Sequence, residues 1–233
     1  MLRDDIVHGI RKTWEVADEL GIAEVFSSPA TIDVNEEFRN LIFSESTNYV
    51  KLYMAGLRLS HYNILLHDYS YFQFGWDKED HVRYAFFPNP FVSGKEHELQ
   101  YFKDRRQLVA AEMLTHEDFL RLLTDRPPVS GVPMWRYENS PVQRKKFNHP
   151  CSHFHIGFHS ENRWPLARIL TPLAFSLLVF KAYYGSPWRG SGDDENAEIS
   201  NRYERMLIAE KSNCPIVGHS LFEDLEKRTF FFG

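Results

Sequence analysis

Cysteine is scarce in this chain. There are two, Cys151 and Cys214. Two thiols in 233 residues make no disulfide framework, so a reducing, cytoplasmic setting is expected. Long apolar runs are missing as well. The longest, PLAFSLLVFKAYY, is too short for a bilayer and carries Lys181, so no membrane span is expected. The start, MLRDDIVHGIRKTW, has acids and no apolar segment, which argues against a secretory signal. Positive charge is not in excess: 27 Lys and Arg stand against 32 Asp and Glu, a net −5. A broad electrostatic grip on nucleic acid is therefore not expected, which leaves room for a local basic patch. Neither Cys-x-x-Cys nor His-Glu-x-x-His occurs, nor any internal repeat or low-complexity tract.

What is present is a core-forming composition, 43% apolar and 15% aromatic. Leu2, Ile6, Ile10, Trp14, Ala17 and Leu20 mark a first helix that ends near Gly21. A second helical region runs from about Glu36 to Leu59, with Ser44 to Thr47 as a break. HYNILLH, YSYFQFGW and HVRYAFFP follow, rich in aromatic and branched residues and separated by polar turns. They predict an antiparallel meander. Residues 95–113 and THEDFLRLL return to helical spacing, the latter capped by Thr115. VPMWRYE reads as a short strand, LAFSLLVFKAYY as a buried helix behind Thr171 and Pro172, and SPWRGSGDDEN as a loop. Ile199, Tyr203, Met206 and Leu207 mark a further helix, and KRTFFFG a late strand. The sum is an α+β fold, an antiparallel sheet of about five strands packed against several helices. One domain is expected over 1–233: a helical part (1–59), the sheet with the buried helix (60–184), and a C-terminal helix and tail (185–233).

The densest chemistry lies in NHPCSHFHIGFHSENRW, from Asn148 to Trp164, which holds His149, His153, His155 and His159. Strand alternation places Cys151, His153, His155, Gly157 and His159 on one face. Ser152, Phe154, Ile156 and Phe158 fall on the other, against the core. Three readings compete. The imidazoles are the polar face of an ordinary half-buried strand. Alternatively, Cys151, His153 and His155 offer imidazole and thiolate ligands to a zinc ion, with a further ligand required from elsewhere. In the third reading the site needs no cofactor. His153 and His155 do acid/base work there, and Arg83, Arg136 and Arg163 hold an anionic substrate. Arg83 and Arg136 each precede a tyrosine within a predicted strand; an ion pair with an acid such as Glu138 is the plain alternative for them. The QRKK loop, with Lys145, adds phosphate-binding charge or is simply solvated. Tyr69, Tyr71, Phe86 and Phe87 are either base-stacking or core.

HYNILLHDYSYFQF, VRYAFFPNPF, HPCSHFHIGFHSENRWP and LTPLAFSLLVFKAYY together resemble a prokaryotic family known as domain of unknown function 2290, from about Tyr49 to Tyr184. The resemblance implies landmarks at Arg83, Tyr84, Asn89, His153, His155, Gly157, Asn162, Arg163 and Pro172, and a grouping without a mechanism. A looser similarity is to small toxins that carry an Arg-Tyr strand before a His-x-His segment, an analogy only. Families of this kind often sit in mobile or phage-defence loci.

The expectation is therefore a hydrolase or transferase on a phosphate-containing substrate, RNA or nucleotide. His153, His155, Arg83 and Arg136 are its catalytic candidates. Arg163, Asn162, His159, Tyr84 and Lys145 are its substrate-binding candidates. The alternative is a non-catalytic module that binds a protein partner encoded nearby in a defence or mobile-element system.

Overall fold

The computed structural model describes residues 1–28, 30–92, 96–129, 133–146, 148–158, 161–193 and 201–230. Its centre is a sheet whose strands follow the chain in order, every neighbour antiparallel. These are β1 (Ala23–Phe26), β2 (Ile64–Leu66), β3 (Tyr71–Lys78), β4 (His81–Phe87), β5 (Trp135–Asn139), β6 (Ser152–Ile156) and β7 (Trp164–Pro165). The meander expected for the middle strands is present. Among the described residues the sheet has seven strands rather than about five, because short β1 and β7 extend its edges.

Helices cover both faces. On one lie α1 (Arg3–Glu19), α6 (Pro172–Tyr183) and α8 (Arg202–Asn213). The spacing that predicts α1 is the spacing that buries Ile6, Ile10 and Ala17. Its chain turns at Gly21, whose φ of 68° suits a residue without Cβ. At Gly9, α1 approaches α6 closely: a Cβ there would lie 2.8 Å from Pro172. α6 is capped as its sequence suggests, the Thr171 hydroxyl accepting from the Ala174 amide at 3.0 Å. Its apolar residues are buried nearly all round. Phe72, Phe74, Tyr84 and Tyr137 alternate toward this layer; Phe72 and Phe74 stack on each other, and the other contacts of the four, including those with Phe175, are edge to face or tilted.

The other face carries α3 (Tyr49–Arg58), α4 (Glu96–Ala110) and α5 (His116–Thr124), with Tyr53 stacked on Tyr71 and Tyr71 on Phe87. The helical region from Glu36 divides as expected, into α2 (Glu36–Phe43) and α3, each begun by an asparagine cap.

Two expectations are corrected. Most of SPWRGSGDDEN is helix, α7 (Gly185–Gly192), because Trp188 is buried against Tyr203 and draws the segment onto α8; residues 194–200 lie outside the described residues. Among the described residues KRTFFFG adds no strand. Its first half belongs to α9 (Asp224–Phe230), whose first turn places Glu226 to accept from the Glu223 amide; residues 231–233 are not described. No described helix is long and apolar enough to cross a membrane.

Phe175 meets Phe72, Phe74, Tyr84 and Phe154, so Phe175→Ala leaves a void at the centre of the α6 layer. Denaturant unfolding should show a loss of about 3–5 kcal/mol. A loss under about 1 kcal/mol would mean this layer does not organise the sheet.

Candidate functional site

Cross-strand register builds the site. Gly75, Arg83, Glu138 and His153 form one row across β3 to β6. Gln73, Ala85, Arg136 and His155 form the next. Both rows point away from Phe175, because side chains alternate and the intervening residues face α6. Above them lies a cavity of about 700 Å³, walled on the far side by residues 32–35 and α2. Its floor carries Arg136, Glu138, His149, His155 and Arg163, its solvent rim Arg83, and its apolar part Phe38, Ile42, Phe87 and Phe158.

His153 and His155 are neighbours on one face of β6, Nε2 to Nε2 at 3.0 Å, so one imidazole donates to the other. His149 meets His153 edge to face, ring centres 4.8 Å apart. His153 has no exposure, and His155 is almost wholly buried. Burial lowers the His153 pKa to about 3, helped by His155, His149 and Arg163, with the Pro150 carbonyl acting the other way. His153 is thus a neutral ring at ordinary pH.

Arg136 lies directly across from His155. Burial lowers its pKa; Glu138 opposes this, and nearby Arg163 adds to it. The Nε of Arg136 and the Nε of Arg163 are buried without partners. The two guanidiniums repel each other electrostatically, and neither is ion-paired among the described residues; Arg163 donates to the Glu161 carbonyl at 3.2 Å. The plain alternative for Arg136, an ion pair with Glu138, is not formed. It holds instead for Arg83, which pairs with Asp77 at 2.7 Å in solvent at the rim.

Other candidates fall elsewhere. Tyr84 follows Arg83 but points oppositely, its ring against Phe175. It belongs to the core, and burial pushes its hydroxyl pKa well up. Cys151 does not share the histidine face. The strand begins only at Ser152, and the thiol turns into the α6-side core near Asn139, its pKa pushed up to about 11 by burial. The expected set of Cys151, His153 and His155 is therefore not assembled. Asn162 spends its amide on the Ile156 backbone, accepting at 3.1 Å and donating at 3.0 Å. It shapes the turn and does not line the cavity. Lys145 is exposed and bridges His149 through its backbone only, while its neighbours Arg144 and Lys146 pair with Glu223. Asn89 braces a loop, donating to the Asp68 carbonyl and accepting from the Phe91 amide. Gly157 has φ 98°, so alternation stops there and Phe158 crosses to the cavity, against Tyr49. His159 lies outside the described residues.

Sequence reasoning passed over two site residues, His149 and Glu138. Parity in WRYEN puts Glu138 on the face of Arg136, a signal that was available. His149 precedes the strand, and nothing local places it. One atom from each of Glu138, His149 and His153 lies within 4.8 Å of the other two, a set able to hold a cation.

The neutral His153 has a consequence for stability. Its folded pKa, about 3, lies below the 6.5 of a free imidazole, so between those values the unfolded chain binds a proton that the folded chain does not. Stability contributed by the neutral ring is full above pH 6.5 and is lost as pH falls toward 3. Urea unfolding of His153→Gln should therefore decline less steeply than wild type over this window. Parallel slopes would place the ring in water.

The family model described as an uncharacterized conserved protein, domain of unknown function 2290, matches residues 21–219. No curated protein and no solved structure matches the chain.

Proposed function

The chain belongs to that family, and from this premise we propose a hydrolase or transferase acting on a phosphate-containing substrate, RNA or nucleotide. The observation that carries the reading is Arg136: half-buried, its Nε buried without a partner, ion-paired to nothing among the described residues, and set opposite His155 on a cavity floor. A buried guanidinium without a counter-ion is costly unless an anion completes it. Arg163 beside it supplies a second fork, the geometry that suits phosphate oxygens.

The cavity supports the substrate class. About 700 Å³ suits a ligand of nucleotide size. Its arginine end takes the phosphate, and its aromatic end, with Phe38, Phe87 and Phe158, takes a base ring. In this reading His155, which lines the cavity, is the general base that removes a proton from the attacking water or hydroxyl. His153 behind it orients the ring through the 3.0 Å contact. Arg136 and Arg163 stabilise charge developing on the phosphoryl oxygens. Arg83, tied to Asp77 at the rim, has the weaker share.

Calorimetric titration with nucleoside mono-, di- and triphosphates and a short oligoribonucleotide tests the proposal. Arg136→Gln should weaken binding at least about tenfold, and Arg83→Gln about threefold or less. His155→Ala should bind as wild type and lose about 10²–10⁴ in turnover of whichever ligand is processed. Wild-type affinity in a folded Arg136→Gln would sink the reading.

A further inference from the structure

We infer that Glu138, His149 and His153 form a binding site for a divalent first-row transition ion, zinc in the first instance. The three come from separate places: Glu138 from β5, His153 from its register partner on β6, and His149 from the turn before Pro150. Their ligand atoms already lie within 4.8 Å of one another. Ligands at about 2.1 Å around one tetrahedral ion sit about 3.4 Å apart, so small side-chain rotations close the set.

A second observation points the same way. Nδ1 of His149 is buried without a hydrogen-bond partner, and Nδ1 of His153, on a ring with no exposure, has the Pro150 carbonyl near it but no hydrogen bond of good geometry. Buried imidazole nitrogens rarely go unused. The Nε2 of His153 is already engaged with His155; with Nδ1 on an ion this Nε2 donates its proton to His155, the arrangement by which a ligating histidine has its other nitrogen held by a neighbour, and the general-base role of His155 then belongs to the metal-free chain. Glu138 makes no ion pair among the described residues that would compete.

The donor set names the ion class. Two imidazoles and one carboxylate are borderline ligands, suited to zinc and its neighbours and poorly suited to magnesium, which prefers oxygen. Three protein ligands leave positions open, and Glu138 and His149 line the same cavity as Arg136 and Arg163. An ion there would share an anion with Arg136 and Arg163. That role rests on the phosphate reading; the binding itself does not.

Competition against a chromophoric chelator, with the full chain first stripped of metal, measures zinc affinity and stoichiometry. One equivalent per chain is expected, weakened at least about tenfold in Glu138→Gln and in His149→Gln, and unchanged in Cys151→Ser. Should either variant unfold, the wild-type chain decides: loaded with Co²⁺ it should show a visible d–d band, and a featureless spectrum overturns the inference. So does the lack of a stoichiometric site, or a site that survives both substitutions. Nucleotide binding by a chain that takes up no zinc overturns this inference and leaves the phosphate reading standing. Zinc held as expected by a chain that binds no nucleotide supports the inference and removes the phosphate reading.

Discussion

The molecule depends on the register of β4, β5 and β6. Arg83 opposite Glu138 opposite His153, and Ala85 opposite Arg136 opposite His155, are fixed by ladder hydrogen bonds. A slip of one residue would send the imidazoles and guanidiniums into the apolar layer and bring Tyr84, Tyr137 and Phe154 into the cavity. The register holds because the second outcome is so unfavourable. Those rings bury large apolar areas against Phe175, and charged groups there would be left without water or partners. Packing on one side of the sheet thus sets the positions of charge on the other.

The site's electrostatics follow from incomplete cover. Where α3 to α5 close over Tyr71 and Phe87, the sheet face is apolar and dry. Further along β5 and β6 the face is polar, and the wall made by α2 stands off from it, which leaves the cavity. The side chains within are poorly solvated yet not mutually neutralised. The lowered pKa of His153 and the unpartnered nitrogens of Arg136, Arg163 and His149 are one fact seen at several atoms. Such arrangements are destabilising in a bare scaffold and characteristic of places where something binds.

Much of this is legible in the chain. The meander, the split at Ser44 to Thr47, the caps at Thr115 and Thr171 and the buried α6 follow from alternation, helical spacing and turn chemistry. Strand parity puts His153 and His155 together, and opposite Phe154. Parity fails where a strand ends. Cys151 lies one residue before β6 and Phe158 just past the positive φ of Gly157, and both point the other way from the face alternation assigns them. Tyr84 shows the same rule in reverse: next to Arg83 in sequence, it belongs to the far side of the sheet. His149 and the edge strands β1 and β7 are set by tertiary contacts, which no local pattern encodes.

The two faces of β6 also divide the consequences of a substitution between scaffold and cavity. Phe154 and Phe175 keep the scaffold folded, and neither touches the cavity. On the opposite side His153 and His155 contact each other, and His149 meets His153. A substitution at one of these imidazoles is therefore felt first in the cavity, while the aromatic layer holds the strand in its place.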